Sequence, residues 1–306
     1  MYLMIDKKAP TVNWYLHFLF KRFLRIAPAF FASVLVYAVL IKINSAGFHF
    51  WYNVFFHFLF LNNVVSGVSI SGPFWSIGVE WHFYMILPVL IAVGTRMSIV
   101  RAVILFSMAS IAFFCIANLG YFDGLWWENQ IVTRFPEFGC GIIAAYFFLE
   151  HKKIPKPFSG ILGLVIGFIM MYLGRLMMFT PVLIATGKAA FIFKSISYTV
   201  MTTGFAFILY HVITIPSFLA RILSTKVFAY LGKISYSIYL WHSLSFLILW
   251  NFLLKIGSGP FKVIPVFLAV TLLTIIIGHF SYRLLESFYF KKFTHIRRKL
   301  IASYAR

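Results

Sequence analysis

One carboxylate, Glu80, stands in the apolar stretch GPFWSIGVEWHFYMILPVL (residues 72–90) of a chain with 7 acidic residues among 306. Ser76, Glu80 and Tyr84 follow one another at intervals of four residues, which places them on one face of a helix. A carboxylate on this face could form a structural ion pair, with Arg134 as its partner. It could equally bind a substrate or act as a catalytic acid or base. The spacing leaves both interpretations open.

A second group of reactive side chains lies in the stretch LGKISYSIYLWHSL, residues 231–244. Ser235, Tyr239 and His242 recur at helical intervals and so share one face. At 1.5 Å per residue, His242 lies about 12 Å from the inner end of this helix, near the middle of a membrane. It is either a hydrogen-bonded core residue or a functional group such as a proton acceptor.

A third group lies in the stretch GHFSYRLLESFYF, residues 278–290. His279, Arg283 and Glu286 follow helical spacing. The simplest interpretation is an ion pair between Arg283 and Glu286 on consecutive turns of one helix. The alternative is that His279 and Glu286 contribute to a site at the inner face of a membrane.

Two arginines, Arg22 and Arg25, precede Pro28 at the start of the first long apolar run. Arginine in this position can anchor a helix to lipid headgroups. The guanidinium group also matches the geometry of a phosphate, so the pair could clamp a phosphorylated substrate.

The composition decides which kind of element positions these groups. Hydrophobic residues make up 62% of the chain, charged residues 11%, and the mean hydropathy is +0.92. Soluble domains carry about 25% charged residues, and a soluble fold of this length could not cover so much apolar surface. The sequence therefore predicts an all-α, polytopic membrane bundle.

About 20 apolar residues are needed for each helix that spans a bilayer. Runs of this kind predict eight spans, at 22–42, 76–94, 100–118, 131–150, 159–178, 191–212, 234–254 and 263–284. The run 50–65 is shorter and contains Asn53, His57, Asn62 and Asn63. We interpret it as a re-entrant or interfacial segment that does not cross the membrane.

The net charge of +20 supports this topology. With eight crossings, most of the 27 Lys and Arg residues fall on one side of the membrane, and basic loops remain cytoplasmic. Both termini are therefore predicted to be cytoplasmic. Basic loops that contact anionic lipid explain the charge, and no nucleic-acid motif is present.

The predicted spans order the ionisable residues by depth. Glu80 lies about 6 Å below the outer surface and His242 near the middle, and near the inner face lie Arg22, Arg25, His279 and Glu286. If these side chains face one cavity, a polar track crosses the membrane. The histidines are scattered without the spacing of a ligand set, so no metal site is predicted. We expect one domain over 1–306, with a helical bundle at 22–290 and a basic cytoplasmic tail at 291–306.

Several of these motifs resemble those of the bacterial membrane acyltransferase family 3, the O-antigen acetylase-like O-acyltransferases. The similar stretches, in the family's order, are KRFLRIAP at 21–28, WSIGVEWHFY at 75–84, RFPEFGCGIIAAY at 134–146, GKISYSIYLWH at 232–242 and SYRLLE at 281–286. Each stretch alone is a weak signal. Their combination and order are more specific.

The resemblance implies an enzyme of the bacterial inner membrane that transfers an acyl group, usually acetyl, from a cytoplasmic acyl-CoA. The acceptor would be a hydroxyl of a cell-envelope glycan or glycolipid, and no cofactor would be bound permanently. Glu80 and His242 are the predicted catalytic residues. The predicted substrate-binding residues are Arg22, Arg25, Trp75, Ser76, Tyr84, Arg134, Ser235, Tyr239, His279 and Glu286.

Members of that family begin with two further helices, the first of which carries an arginine and a histidine proposed as the catalytic base. Here the first residues, MYLMI, resemble the end of the second of these helices. The expectation is therefore an N-terminally truncated form. Two alternatives remain open: a transporter or flippase of a lipid-linked or anionic substrate, and an inactive fragment with a scaffold role.

Overall fold

The computed structural model describes residues 11–117, 127–149, 160–179, 188–256 and 260–288, and these ranges contain helices and no strand. The predicted tail at 291–306 and the first residues MYLMI lie outside them. The α-helices are α1 Val12–Asn44, α2 Phe50–Phe58, α3 Trp75–Met97, α4 Ile99–Ile116, α5 Ile131–Leu149, α6 Ile161–Phe179, α7 Lys188–Thr214, α8 Phe218–Leu223, α9 Lys226–Lys233, α10 Ser235–Ile256 and α11 Pro260–Ser281.

The all-helical, multi-pass membrane prediction is confirmed. Within the described ranges, seven helices are long and apolar enough to cross a membrane, and the remaining predicted span, 234–254, corresponds to α10, a helix of 22 residues. The largest difference concerns α1, which begins at Val12 and not at residue 22. Its third turn contains Lys21 and Arg22, which a helix accepts but the hydrocarbon core does not. These basic residues interrupt the apolar run, so hydropathy locates only the part of this helix that follows Lys21.

The segment 50–65 forms the nine-residue helix α2 followed by turns. At 1.5 Å per residue this helix is about 14 Å long, well short of the about 30 Å hydrocarbon core. The segment thus does not span as a helix, in agreement with the prediction. A single 3-10 turn, Gly72–Phe74, then leads into α3.

The chain divides into two compact units. The first unit comprises Met1–Tyr15 and Val79–Ser224, and the second comprises Leu16–Gly78 and Thr225–Arg306. The boundary falls within α3. The prediction of one domain over 1–306 stays a prediction.

In the first unit, α6 and α7 pack closely through glycines. A Cβ atom on Gly204 would lie 2.5 Å from the carbonyl oxygen of Gly167, and one on Gly167 would lie 3.0 Å from the carbonyl oxygen of Gly204. Only residues without a side chain allow the two backbones to approach this far, as is common between membrane helices.

A proline inside α5 explains a contact between α4 and α5. Pro136 has no N–H group, so the carbonyl of Val132, four residues earlier, loses its partner within the helix. The hydroxyl of Ser110 on α4 donates a hydrogen bond to this carbonyl. A neighbouring helix thus satisfies the freed backbone group, as the absence of water in a membrane requires.

In the second unit, α10 lies between α11 and α1. Gly278 of α11 packs against Ile238 of α10, where a Cβ atom on the glycine would lie 3.1 Å from the Ile238 side chain. The Tyr236 hydroxyl donates to the carbonyl of Ile26 at 2.9 Å, and the Tyr37 hydroxyl donates to that of Leu240 at 3.3 Å. These bonds set the register of α1 along α10.

A buried histidine, His57, lies in the core of the second unit near the rings of Phe30 and Phe74, with centroids 6.3 Å and 6.1 Å away. Its Nδ1–H donates to the carbonyl of Asn53 at 2.8 Å. Burial of the imidazole away from water lowers its pKa from 6.5 to about 4. His57 is therefore neutral in the folded protein at physiological pH.

This pKa predicts an acid-sensitive stability. Below pH 6.5 the unfolded chain binds a proton at His57 and the folded chain does not, so stability is complete above pH 6.5 and falls down to about pH 4. The shift corresponds to about 3 kcal/mol. His57→Leu is expected to flatten the dependence of the melting temperature on pH in this window, measured in detergent. His49→Leu, which removes an exposed histidine, should keep the wild-type slope. An unchanged slope in the His57 variant would contradict the assignment.

Candidate active site

The N-terminal end of α10 joins the start of α3 through a tyrosine. The Tyr239 hydroxyl donates to the carbonyl of Pro73 at 2.6 Å and lies in very short contact with the hydroxyl of Ser76. Since Tyr239 has one proton, Ser76 donates to Tyr239 when Tyr239 donates to Pro73. Two predicted site residues, Ser76 and Tyr239, are thus brought together. Trp75, the first residue of α3, is half-buried.

The imidazole of His242 is held by the backbone of its own helix. Its Nδ1 lies 2.6 Å from the carbonyl of Tyr239, which can only accept, so Nδ1 carries the proton. With the proton on Nδ1, the other nitrogen, Nε2, is an acceptor, and the hydroxyl of Ser243 lies within hydrogen-bond distance of it at 3.4 Å. This tautomer is the one a general base requires.

His242 lines a cavity of about 1310 Å³ in the second unit, whose walls come from α1, α9, α10, α11 and the segment before α3. The polar groups on its wall include Tyr37, Ser71 and Ser243, and the Tyr37 hydroxyl interacts with both serines. Most of the other lining residues are aliphatic or aromatic. A base, several hydroxyl groups and an apolar wall therefore face one space.

The third residue of the predicted stripe lies apart from this cavity. The Ser235 hydroxyl donates to the carbonyl of Gly232 at 3.0 Å, and the residue is exposed. Ser235 is the first residue of α10, and its hydroxyl satisfies a backbone carbonyl at the end of the preceding helix, α9. Its predicted role in substrate binding stays a prediction.

The end of α11 widens into a π-helical turn, Tyr282–Glu286, and Glu286 is buried there, with 5% of its surface exposed. The hydroxyl of Ser237 on α10 donates to its carboxylate in a very short contact, and Ser281 lies 3.0 Å from the same hydroxyl. Glu286 also interacts electrostatically with Arg25. π-Helical turns often occur at functional sites.

The remaining predicted residues near this end have separate partners. Arg22 lies with its guanidinium 5.4 Å from the ring centroid of Phe18, and Arg25 is exposed. His279 is hydrogen-bonded through Nδ1 to the Tyr230 hydroxyl. An ion pair between Arg283 and Glu286 does not occur among the described residues, because Glu286 turns toward Ser237 and Arg283 is exposed.

In the first unit, Glu80 is half-buried and accepts a very short hydrogen bond from the hydroxyl of Tyr84, one helical turn away. The predicted spacing is thus realised as a direct contact. The alternative pair of Glu80 with Arg134 is absent from the ion pairs of the described ranges.

Arg134 is instead engaged by two acids that sequence reasoning missed. Its Nη1 donates to Glu137 at 2.9 Å and its Nη2 to Glu128 at 3.3 Å, while Nε donates to the Glu128 carbonyl at 2.7 Å. The guanidinium lies 3.9 Å from the ring centroid of Tyr198, whose hydroxyl also donates to Glu128. These contacts favour a structural role, and a role in substrate binding stays a prediction.

The chain also has acids close to Arg134 in sequence that could have indicated this network. Glu128 and Glu137 lie within six residues of Arg134, in a chain with 7 acids. For Tyr37, Ser237 and Ser243, which contact other elements or line the cavity, no comparable sequence signal exists. Within the described part of the chain, no group of three His, Cys, Asp or Glu residues could hold a metal ion.

Comparison with known proteins supplies the family. Residues 13–283 match the model of a family described as "Acyltransferase domain". The protein named "Putative acetyltransferase ORF330" of Acidianus two-tailed virus is 26% identical over 230 residues, which cover 73% of this chain. The match covers 63% of the viral protein, so this chain spans less than two thirds of that relative's length. No solved structure matches significantly.

Proposed function

Because this chain belongs to the family of acyltransferase domains, we propose that it transfers an acyl group, acetyl in the first instance, from acyl-CoA to a hydroxyl group. The proposed donor is cytoplasmic, and the proposed acceptor is a glycan or glycolipid of the cell envelope. The chain would act in the bacterial inner membrane with both termini in the cytoplasm, where its basic loops favour retention. No permanently bound cofactor is proposed.

The observation that carries this proposal is the position of His242. A neutral imidazole with Nδ1–H fixed to the backbone presents Nε2 as a proton acceptor, and it does so in a cavity large enough for a substrate. Proton abstraction from a hydroxyl is the step that O-acylation demands of a base.

In the proposed reaction, the acceptor hydroxyl gives its proton to Nε2 of His242 as its oxygen attacks the thioester carbonyl. A new C–O bond forms, and the carbonyl oxygen becomes an oxyanion. The hydroxyl of Ser243, on the same cavity wall, is the proposed hydrogen-bond donor to this oxyanion. The C–S bond then breaks, and the proton on His242 passes to the departing thiolate, which leaves as CoA thiol.

Arg22 and Arg25 are the proposed partners of the donor's phosphates, since one guanidinium group can donate two parallel hydrogen bonds to the oxygens of a phosphate. The exposed position of Arg25 leaves its side chain accessible. Glu286, a buried carboxylate that attracts Arg25 electrostatically, is the proposed counter-charge of that arginine. His279, at the same end of α11, is proposed to contact the donor as well.

Glu80 is proposed as the second catalytic group. Its contact with Tyr84 fixes the carboxylate on α3, where it could orient a sugar hydroxyl or accept a proton. Ser76, Tyr239 and Trp75 are proposed to shape the acceptor site at the start of this helix.

The proposal can be tested in inside-out membrane vesicles that contain the protein. After incubation with acetyl-CoA labelled in the acetyl group, we expect label in an alkali-labile ester of the lipid or glycan fraction, with none in vesicles that lack the protein. Uptake of a labelled anionic or lipid-linked substrate that needs no CoA, without ester formation, would contradict the proposal and favour a transporter.

A further inference from the structure

The cavity around His242 is larger and more apolar than acetyl transfer to a sugar requires. Drug-sized ligands occupy pockets of about 300–1,000 Å³, and this cavity measures about 1310 Å³. Its wall includes Ile238, Leu244 and Val270 beside the few polar groups. Sugars present hydroxyl groups on every side, so an apolar wall of this extent is unsuited to hold them.

The same cavity communicates with the surroundings of the bundle. Four apolar residues of its wall are between 44% and 65% exposed: Phe246, Leu247, Ile248 and Phe267. They belong to α10 and to α11, and α11 is one of the helices apolar enough to span the membrane. Because such helices face hydrocarbon in a bilayer, the cavity wall is continuous with the lipid-facing surface of the protein.

The dimensions of the wall match a lipid chain. From Ile238 to Ile248, α10 lines the cavity over about 15 Å at 1.5 Å per residue. This is half of the about 30 Å hydrocarbon core, which is the depth that the chains of one leaflet occupy. His242 and Ser243 lie within this length, and Asn44 and Ser45 at the end of α1 provide a polar rim.

We propose that the cavity holds one hydrocarbon chain of a membrane lipid, entering from the bilayer, whose head carries the acceptor hydroxyl. This inference rests on the proposed function and narrows its acceptor to a lipid. The head group lies beside His242 with its hydroxyl at Nε2, and the chain packs against α10 and α11 over the rest of the cavity before it continues into the bilayer. A soluble acyl-CoA carries charged phosphates that the apolar lateral opening would exclude, so the opening serves the acceptor and not the donor.

The test uses phosphatidylglycerol with a diazirine at the end of one acyl chain, in vesicles that contain the full chain. After irradiation, mass spectrometry locates the attached lipid. Leu244 lines the cavity and is 9% exposed, whereas Leu272 on α11 is 61% exposed and does not line it. We expect label at both residues in the wild-type protein. An unlabelled Leu244 beside a labelled Leu272 would overturn the proposal.

Two matched variants of α11 test whether the label reports the cavity. Val270→Trp fills the cavity and should remove label from Leu244 while Leu272 remains labelled. Leu272→Trp adds the same ring on the lipid side and should leave the label at Leu244 unchanged. Persistent labelling of Leu244 in Val270→Trp would overturn the proposal. If Val270→Trp fails to fold, the labelling of Leu244 in the wild-type protein still supports or overturns the proposal.

Acyl transfer separates this inference from the proposed function. If the lipid-chain cavity and the proposed function are both correct, Val270→Trp loses acyl transfer to the lipid fraction but keeps acyl transfer to a short, water-soluble alcohol. Label at Leu244 without transfer to any acceptor would support the lipid chain in the cavity and refute the proposed acyl transfer. Transfer to a soluble sugar with no label at Leu244 would support acyl transfer and refute the lipid chain in the cavity. An unlabelled Leu244 in a protein that purifies as a dimer would assign the cavity to a second copy of the chain.

Discussion

Replacing His242 by glutamine is expected to lower the rate of acyl transfer by roughly 10²–10⁴-fold, the contribution of a general base. Glutamine retains an amide that can donate a hydrogen bond, as Nδ1–H does to the Tyr239 carbonyl, but it cannot accept a proton. The loss should appear in kcat, since the substrate contacts in the cavity remain. The measurement is the initial rate of ester formation from labelled acetyl-CoA in vesicles with equal amounts of protein.

His17→Gln provides the matched control, because His17 is exposed near the start of α1 and does not line the cavity. It should transfer at the wild-type rate. His279→Gln tests whether the second histidine of the predicted site acts as the base instead. Since His279 is hydrogen-bonded to Tyr230 and is proposed to contact the donor, its loss should affect KM for the donor more than kcat. If His279→Gln abolished transfer and His242→Gln did not, the assignment of the base would be wrong.

Replacing Arg134 by methionine is expected to destabilise the protein by roughly 3–5 kcal/mol, the cost of leaving buried charges without a partner. The guanidinium is 6% exposed and satisfies Glu128 and Glu137 together. Methionine fills similar space but leaves both carboxylates uncompensated and removes the ring contact to Tyr198. Unfolding in detergent can be followed with a thiol-reactive dye, because Cys115 and Cys140 are free and only partly exposed.

Arg101→Met is the control for this experiment, since it removes an exposed arginine from the same unit. Its unfolding temperature should match that of the wild-type protein. If Arg134→Met also unfolded like the wild type but raised KM for the acceptor, Arg134 would be a substrate ligand as the sequence resemblance implied.

The helices were accessible from sequence because each depends on a local run of apolar residues. The ends of the helices were harder to predict. α1 begins ten residues before the predicted start, because Lys21 and Arg22 interrupt its apolar run without interrupting the helix. Helical spacing correctly identified the contact between Glu80 and Tyr84, which lie on one helix.

Contacts between helices could not be predicted from helical spacing. Spacing predicted Ser235 on the same face as His242, but the serine bonds locally to Gly232. Ser237, two residues further, reaches Glu286, because the π-helical turn alters the direction of that carboxylate. The register of α1 against α10 similarly depends on Tyr37 and its distant partner Leu240. Such pairings depend on tertiary packing, which one-dimensional periodicity does not contain.

The widened turn at Tyr282–Glu286 makes the register of α11 sensitive to length. Successive residues of an α-helix are rotated by about 100°, and a π-helical turn accommodates one residue more than a regular turn. If the same residues formed a regular α-helix, Glu286 would be rotated by about a quarter-circle, away from Ser237. Homologous sequences that form a regular helix at this point should therefore be one residue shorter between the end of α11 and the acid wherever the acid is used.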